Sequence, residues 1–501
     1  MEAGSARKRS RGAGKGFWQD LRIGAQKMVE RTSASHKRFV ALVLVVAAAL
    51  RIAQMQLPVT YDEAVLVTTI ANTSLGNILW DYSDPVNHFL HTAAVKASIG
   101  LFGVHRWSMR LPALLAGLLA IPLFYAFVRI MFNRYIALLT ISFLAASGAL
   151  VEYSTLATGH AFTWLLMVCA FLVGRHFGKR DSTASALLLA VIGTVGMWVM
   201  PSMFYINVTV YVWLVFYLLA NYETSLTRRM VKLGSSFFLF LVLTALLYAP
   251  IVSRHGIDHL LHHPGFGPHT WISFNATQHD HTFALWDYLN STAATWVSAL
   301  GAIGLFYAAY ESVKYRTMVF ALIVGAVPFS ILTRYIGPPA SWVYILFILH
   351  LGSAIALFYL MKLVQAKVWT GFEKRTRTWV TGVVVMVGFG AVTLTKPTHK
   401  ERFADVARAR EWFQGILKPG DRVYAETPTD APFAFELLNA GMDRSVLTTG
   451  PQPGGKVYLL VSPADGQTTS SVLGSNNADP RLAADLVKVK DWKLLEIFAA
   501  R

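Results

Sequence analysis

The chain has one cysteine, Cys169, in 501 residues. No disulfide therefore forms within it, and no thiolate cluster holds a metal. Charge is also scarce. Asp, Glu, Lys and Arg make up 15% of the residues, where soluble domains carry roughly 25%. With 54% hydrophobic residues and a mean hydropathy of +0.45, the composition excludes an ordinary soluble protein. Acids are the scarcer sign, 28 against 45 Lys and Arg, which leaves a formal charge of +17. So basic a chain invites a nucleic-acid reading, but the distribution argues against it. The stretch from Lys396 onward is nearly balanced. The excess sits in the N-terminal tail (Arg7, Lys8, Arg9, Arg11, Lys15) and in short loops between apolar runs. That is the pattern of positive loops retained on the cytoplasmic side of a membrane.

Long hydrophobic runs are what the sequence does have. They fall at 39–57, 107–128, 135–151, 161–177, 184–200, 204–220, 234–252, 287–310, 317–333, 340–361 and 378–395. Their lengths predict a polytopic α-helical membrane protein with about eleven transmembrane helices. The first run follows a basic stretch and lacks a small-residue cleavage site, so it reads as a retained span. With the N-terminus inside, Arg129, Arg134, Arg175, Lys179, Arg180, Arg228, Arg229, Lys232, Lys314, Arg316, Lys362, Lys367, Lys374, Arg375 and Arg377 all fall on the cytoplasmic side. Residues 1–38 are then a basic cytoplasmic tail, and 39–395 a transmembrane domain with external loops 58–106 and 254–286. Within the first loop, HFLHTAAVKASIGLFG (88–103) is too short and too polar for a span and predicts a helix along the outer face. The second loop, rich in His, Gly and Pro, predicts a mobile lid. Its histidines (His255, His259, His262, His263, His269, His279, His281) follow no closed metal-binding spacing. After residue 395 the pattern changes to a small external α/β domain, 396–501. A helix, DVARAREWFQGIL, is followed by the strand RVYAE, a helix APFAFELLNAG, and the strands KVYLLVS and KLLEIFA.

The residues with chemistry cluster in the external loops. TYDEAVLV (60–67) places Asp62 and Glu63 at the rim of a span, where an acid is costly unless it faces water or a partner. Thr60 and Glu63 have the spacing of a capping box. Asp62 suits general-base work on a hydroxyl nucleophile. In WDYSDPVNHFLHT, His88 and His91 share one helix face beside Asp84, a set fit for a metal, a phosphate or interfacial packing. Glu152 and Tyr153 end a span externally, placed either to orient a substrate or metal or to cap a helix.

Several strings resemble membrane glycosyltransferases of the GT-C superfold, in particular the protein O-mannosyltransferase and aminoarabinose transferase (PMT/ArnT-like) group. They are DEA in the first loop, PVNHFLHTAAVKASIGLFG, RWSMRLPALLAGLLAIPLFYAFVR, ALVEYSTLATGHAFTWLL, TRYIGPPASWVYILFI, and DVARAREWFQGILKPGDRVYAETPTDAPFAFELLNAG. The resemblance implies transfer of a sugar from a polyprenyl-phosphate donor to an envelope lipid, polysaccharide or protein, at the outer face of a bacterial inner membrane. Asp62 would deprotonate the acceptor, with Glu63 as its neighbour. No cofactor is required by this reading, and a divalent metal is compatible with it. The leaving phosphate needs cations or N–H donors, and Arg106, Arg110 and Arg334, supported by His88, His91 and His160, are the external candidates. Many bacterial relatives carry an Ala-Arg-Gly-Tyr-like string where this chain has Ala157, Thr158, Gly159 and His160. They also carry an arginine where Ser341 stands. These departures keep open a second reading, a non-catalytic scaffold or carrier of lipid-linked sugars.

Overall fold

The computed structural model describes residues 16–221, 225–263, 270–293, 295–365, 371, 373–396, 398–448 and 455–500. The tail basics Arg7, Lys8, Arg9, Arg11 and Lys15, with Lys367 and His269, lie outside the described residues. Within the expected tail, Phe17–Glu30 is a helix.

Among the described residues, seven helices are long and apolar enough to cross a membrane: Arg106–Met131, His160–Arg180, Met203–Ala220, Leu226–His255, Val313–Thr333, Ile345–Val364 and Lys374–Thr395. An eighth follows if Trp271–Ser291 and Thr295–Glu311, which meet at 102°, form one bent span. The expected count of about eleven is not reached, for local reasons. Arg134–Ala146, 13 residues, rises only about 20 Å against a hydrocarbon core of about 30 Å. Thr183–Val199 also falls short of the crossing length. Ala34–Ala53 carries Lys37, Arg38 and Arg51. Arg51 is buried and donates to Leu144 O, Ala145 O and Ser154 Oγ. It thus caps the carbonyl end of the short helix where the chain breaks at Ser147 and restarts as Gly148–Tyr153.

The 254–286 region is the clearest departure from expectation. The helix from Leu226 runs on to His255, and Trp271–Ala293 is helical, so much of the predicted lid is regular structure. The outer surfaces of the long helices expose Leu115, Leu119, Leu187, Phe238, Leu246, Phe306, Leu363 and Val387. That apolar covering suits lipid, where no water competes for backbone groups. Phe124, Phe127, Phe171 and Trp213 interlock inside.

The expected first loop, 58–106, is largely helical: Tyr61–Val65, a π turn Leu66–Ile70, Leu75–Trp80 and Phe89–Phe102. The C-terminal region forms a four-stranded sheet of β1 (Arg422–Tyr424), β2 (Val457–Val461), β3 (Leu486–Asp491) and β4 (Glu496–Ala500). The order is β1-β2-β4-β3, with β1 parallel to β2 and the other pairs antiparallel. β3 escapes the sequence reading because it is short and exposed from Lys488 to Asp491, so burial sets little of its pattern. The domain docks through helix Asp430–Asn439, whose Phe435 is buried among Val59, Ala64, Leu66 and Val67 of the first loop.

Small residues allow the closest helix crossing. Gly301 and Gly304 of Thr295–Glu311 face Gly352 of Ile345–Val364, backbone against backbone. A Cβ on Gly304 would strike the Gly352 carbonyl, which cannot move aside as a side chain would. Gly304→Val is expected to cost about 3 kcal/mol, the upper end of the usual overpacking range, read as a lowered thermal unfolding midpoint in detergent. Gly234→Ala, which meets open space, is expected to leave the midpoint unchanged.

Candidate active site

The helix Tyr61–Val65 begins with the predicted capping box. Thr60 Oγ1 accepts the Glu63 N–H at 3.4 Å, and Glu63 Oε2 accepts the Thr60 N–H at 3.0 Å. Neighbouring residues on a helix point about 100° apart, and the two acids have opposite fates. Glu63 is fully buried. Arg110 grips it with two parallel bonds, Nε to Oε1 at 2.8 Å and Nη2 to Oε2 at 2.7 Å. The Ala157 N–H adds a third at 2.9 Å. Arg110 spends its other donors on Met55 O, Leu57 O and Pro58 O, at 3.0, 2.7 and 2.9 Å. Burial alone would push the Glu63 pKa up, but the Arg110 charge and its hydrogen bonds bring it below the ordinary carboxylate value. Glu63 therefore shapes the site from behind and does not reach the cavity. The residue expected beside Asp62 as a catalytic partner is thus paired with Arg110 and lies behind the cavity wall.

Asp62 opens onto a cavity of about 810 Å³. Among the described residues no hydrogen-bond donor engages its carboxylate. Burial within the cavity wall, then the negative charges of Asp84 and Glu63, push its pKa above the ordinary 3.8. The rest of the wall is rich in hydroxyl and ring groups: Thr60, Tyr61, Tyr82, Tyr153, Thr158, Ser202, Tyr205, Tyr335 and Ser341. His88, His160, His263, His399 and Arg402 also line it. His88 Nδ1 accepts the Gly159 N–H at 2.9 Å, which assigns its proton to Nε2. Burial lowers its pKa to about 4, so it is neutral near pH 7. The His160 ring packs edge-on against both Tyr153 and His88. Thr158 and Ser341, the two departures from the resembling family, both face this space.

The other predicted site residues divide. Asp84 accepts the Val86 N–H at 2.8 Å and acts on Asp62 through its charge. Glu152 Oε1 accepts the His399 N–H at 2.9 Å. His91 is buried against Phe162, off the cavity. The arginines are reassigned. Arg110 is enclosed with Glu63, and Arg106 binds Glu436 of the C-terminal domain by two oxygens at 2.8 Å, with Gln56 O at 3.1 Å. Arg334 ends helix Val313–Thr333 in the left-handed region, φ 52°, with its guanidinium 5.3 Å from the Trp271 ring centre, while its neighbours Thr333 and Tyr335 face the cavity. Each of these pairings joins residues far apart in sequence, which no local pattern records. The sequence reading missed His399 and Arg402. Their signal was a basic run, His399, Lys400 and Arg402, just after the last long apolar run, on the side expected to be external and so against the usual charge bias. Among the described residues, no three His, Cys, Asp or Glu side chains converge as a metal-binding group.

The fold of the chain is the GT-C fold of membrane glycosyltransferases. Residues 85–248 match the family described as dolichyl-phosphate-mannose-protein mannosyltransferase. Among solved structures, the chain is similar to ArnT from Cupriavidus metallidurans in the apo state, with TM-score 0.57 and 15% identity over 93% of this chain and 98% of that one. The same protein bound to undecaprenyl phosphate gives 0.56 and 16%, over 92% and 97%. An Archaeoglobus fulgidus oligosaccharyltransferase complexed with Zn and sulfate gives 0.42 and 17%, over 82% and 58%. No curated protein matches the chain.

The clamp on Glu63 sets a stability test. Arg110→Ala strands a buried carboxylate, and breaking such a pair costs about 3–5 kcal/mol. A strongly lowered unfolding midpoint in detergent is expected. A shift of under a degree would show that the pair does not hold the loop.

Proposed function

We propose that this protein transfers a sugar from a polyprenyl-phosphate-linked donor to a hydroxyl of an envelope acceptor (lipid, glycan or protein), with Asp62 as general base. The observation that carries this reading is the placement of Asp62: a carboxylate without a hydrogen-bonded partner among the described residues, on the wall of a large cavity with several hydroxyl groups. The acceptor hydroxyl gives its proton to Asp62 as its oxygen bonds to the anomeric carbon. The bond from that carbon to the phosphate oxygen breaks, and polyprenyl phosphate leaves with the electron pair. A phosphate leaving group is stabilised by charge and N–H donors, and Arg402, His88 and His160 on the cavity wall are suited to that. The fold likeness to ArnT bound to undecaprenyl phosphate supports a lipid-phosphate donor. The protein would sit in a bacterial inner membrane with its N-terminus cytoplasmic and residues 396–501 periplasmic. The reaction as drawn needs no metal. Sugar hydroxyls find partners in Tyr82, Tyr205, Tyr335 and Ser341.

The uncharged Thr158 and Ser341 favour the second reading, a binding scaffold that does not transfer. One variant separates the two. Asp62→Asn is expected to lower turnover by about 100-fold or more, the range of general-base catalysis, while the protein inserts and folds as before. Wild-type turnover in that variant would remove the base assignment, and a wild-type protein that binds donor without turning over would establish the scaffold.

The raised pKa of Asp62 gives a second expectation. The base must be ionised, so kcat/KM should fall on the acid side with an apparent pKa above 3.8. Asp84→Asn removes a negative charge that opposes ionisation, so the acid limb should move to lower pH. A limb that stays in place or rises would contradict the coupling.

A further inference from the structure

Lys400 is completely buried although it belongs to the external region, just past the last long helix. Burying an ammonium is costly unless it is fully hydrogen-bonded. Its Nζ donates to Thr155 Oγ1 at 2.8 Å, Thr155 O at 3.1 Å and Gln54 O at 3.4 Å. Three acceptors match its three N–H groups. The adjacent His399 donates its N–H to Glu152. Residues 399 and 400 thus fasten residues 152–155 to the external domain. Two positions further on, the Ala157 N–H binds Glu63 from the other side. Gln54 belongs to the stretch whose carbonyls Arg110 collects.

We propose that Lys400 is a positioning residue of the transfer reaction: reaching in from the external domain, it ties residue 54 to residue 155 and fixes where helix Tyr61–Val65 holds Asp62 in the cavity. The proposal rests on the reading of Asp62 as the base. Lys400 itself does not line the cavity and touches no reacting atom. Its effect is geometric. A displacement of about 1 Å at a reacting group lowers rate by up to about 100-fold. The tie runs through bonded neighbours, Lys400 to Thr155, then Ala157 to Glu63, then one residue back to Asp62.

The test uses full-length protein in lipid nanodiscs, with Lys400→Met, which keeps the length and removes every donor, and Lys400→Arg, which restores a cation with several. Two readouts are taken: transfer kinetics, and amide hydrogen exchange across residues 60–66. Lys400→Met is expected to lower kcat by about tenfold or more, leave the donor KM within about twofold, and speed exchange over 60–66. Lys400→Arg is expected to recover part of both. Adding Lys400→Met to Asp62→Asn should cost nothing further, since the two act at one point. If Lys400→Met does not fold, Thr155→Val removes one acceptor and is read the same way, with a smaller effect in the same direction. Unchanged kcat together with unchanged exchange overturns the proposal, even where Asp62→Asn is inactive. An active Asp62→Asn protein instead removes the base reading, and exchange over 60–66 then decides whether Lys400 holds the loop.

Discussion

The buried pair of Glu63 and Arg110 is the interaction on which the site depends. Taking both charges out of water is expensive, and such a pair adds stability only where its remaining donors and acceptors are satisfied. Here they are, by the Thr60 and Ala157 N–H groups and by carbonyls of residues 55, 57 and 58. The pair therefore links three segments: the loop before the first external helix, that helix itself, and the turn after Tyr153. Each contributes a wall of the cavity, through Thr60 and Asp62, then Leu156 and Thr158. Fixing the segments to one another fixes the direction in which Asp62 points.

The C-terminal domain is part of the same arrangement and not an appendage. Phe435 fills the apolar side of helix Tyr61–Val65, and Tyr61 packs into the domain's own core. Glu436 holds Arg106, which in turn reaches Gln56 O. His399, Arg402, Phe403 and Pro428 supply cavity wall from beyond the last long helix. The helix bearing Asp62 has five residues, too few to be stable alone. It stands because Arg110 of a long apolar helix holds it through charge on one side and the C-terminal domain through apolar contact on the other.

These particulars explain what the sequence disclosed. The capping box was legible because it is local, spanning residues 60 to 63. The helical first loop, the long apolar helices and three of the four strands were legible because burial imposes a period on the residues involved. The partners of Arg106 and Arg110 were not, since Glu436 and Glu63 lie far along the chain and an arginine's own neighbours do not announce what it pairs with. The helix Trp271–Ala293 was hidden for another reason. Its His, Asn, Gln and Asp residues suggest a loop, yet many of them are exposed, where polar side chains do not oppose helix formation. The described long apolar helices number seven or eight and fall short of the expected eleven where helices are short or, as at Arg51, carry polar residues paired inside the protein.

The fate of the arginines also determines the electrostatics of the cavity. Arg110 is neutralised within the fold, Arg106 is held by Glu436, and Arg334 lies over Trp271. His88 on the wall is neutral near pH 7. Among the described residues, Arg402 is the one arginine lining the space, and Asp465 already engages one edge of its guanidinium. Had the cations pointed inward, they would have lowered the pKa of Asp62 and weakened it in the role of base proposed for it. Instead its negative neighbours and its partial burial act together to raise proton affinity. A carboxylate of higher pKa accepts a hydroxyl proton more readily as the nucleophile attacks. Using Arg106, Arg110 and Arg334 as internal ties, and leaving on the wall hydroxyls, neutral His88 and the two cationic groups held by acids, Arg402 by Asp465 and His399 by Glu152, thus serves the fold and the proposed chemistry at once.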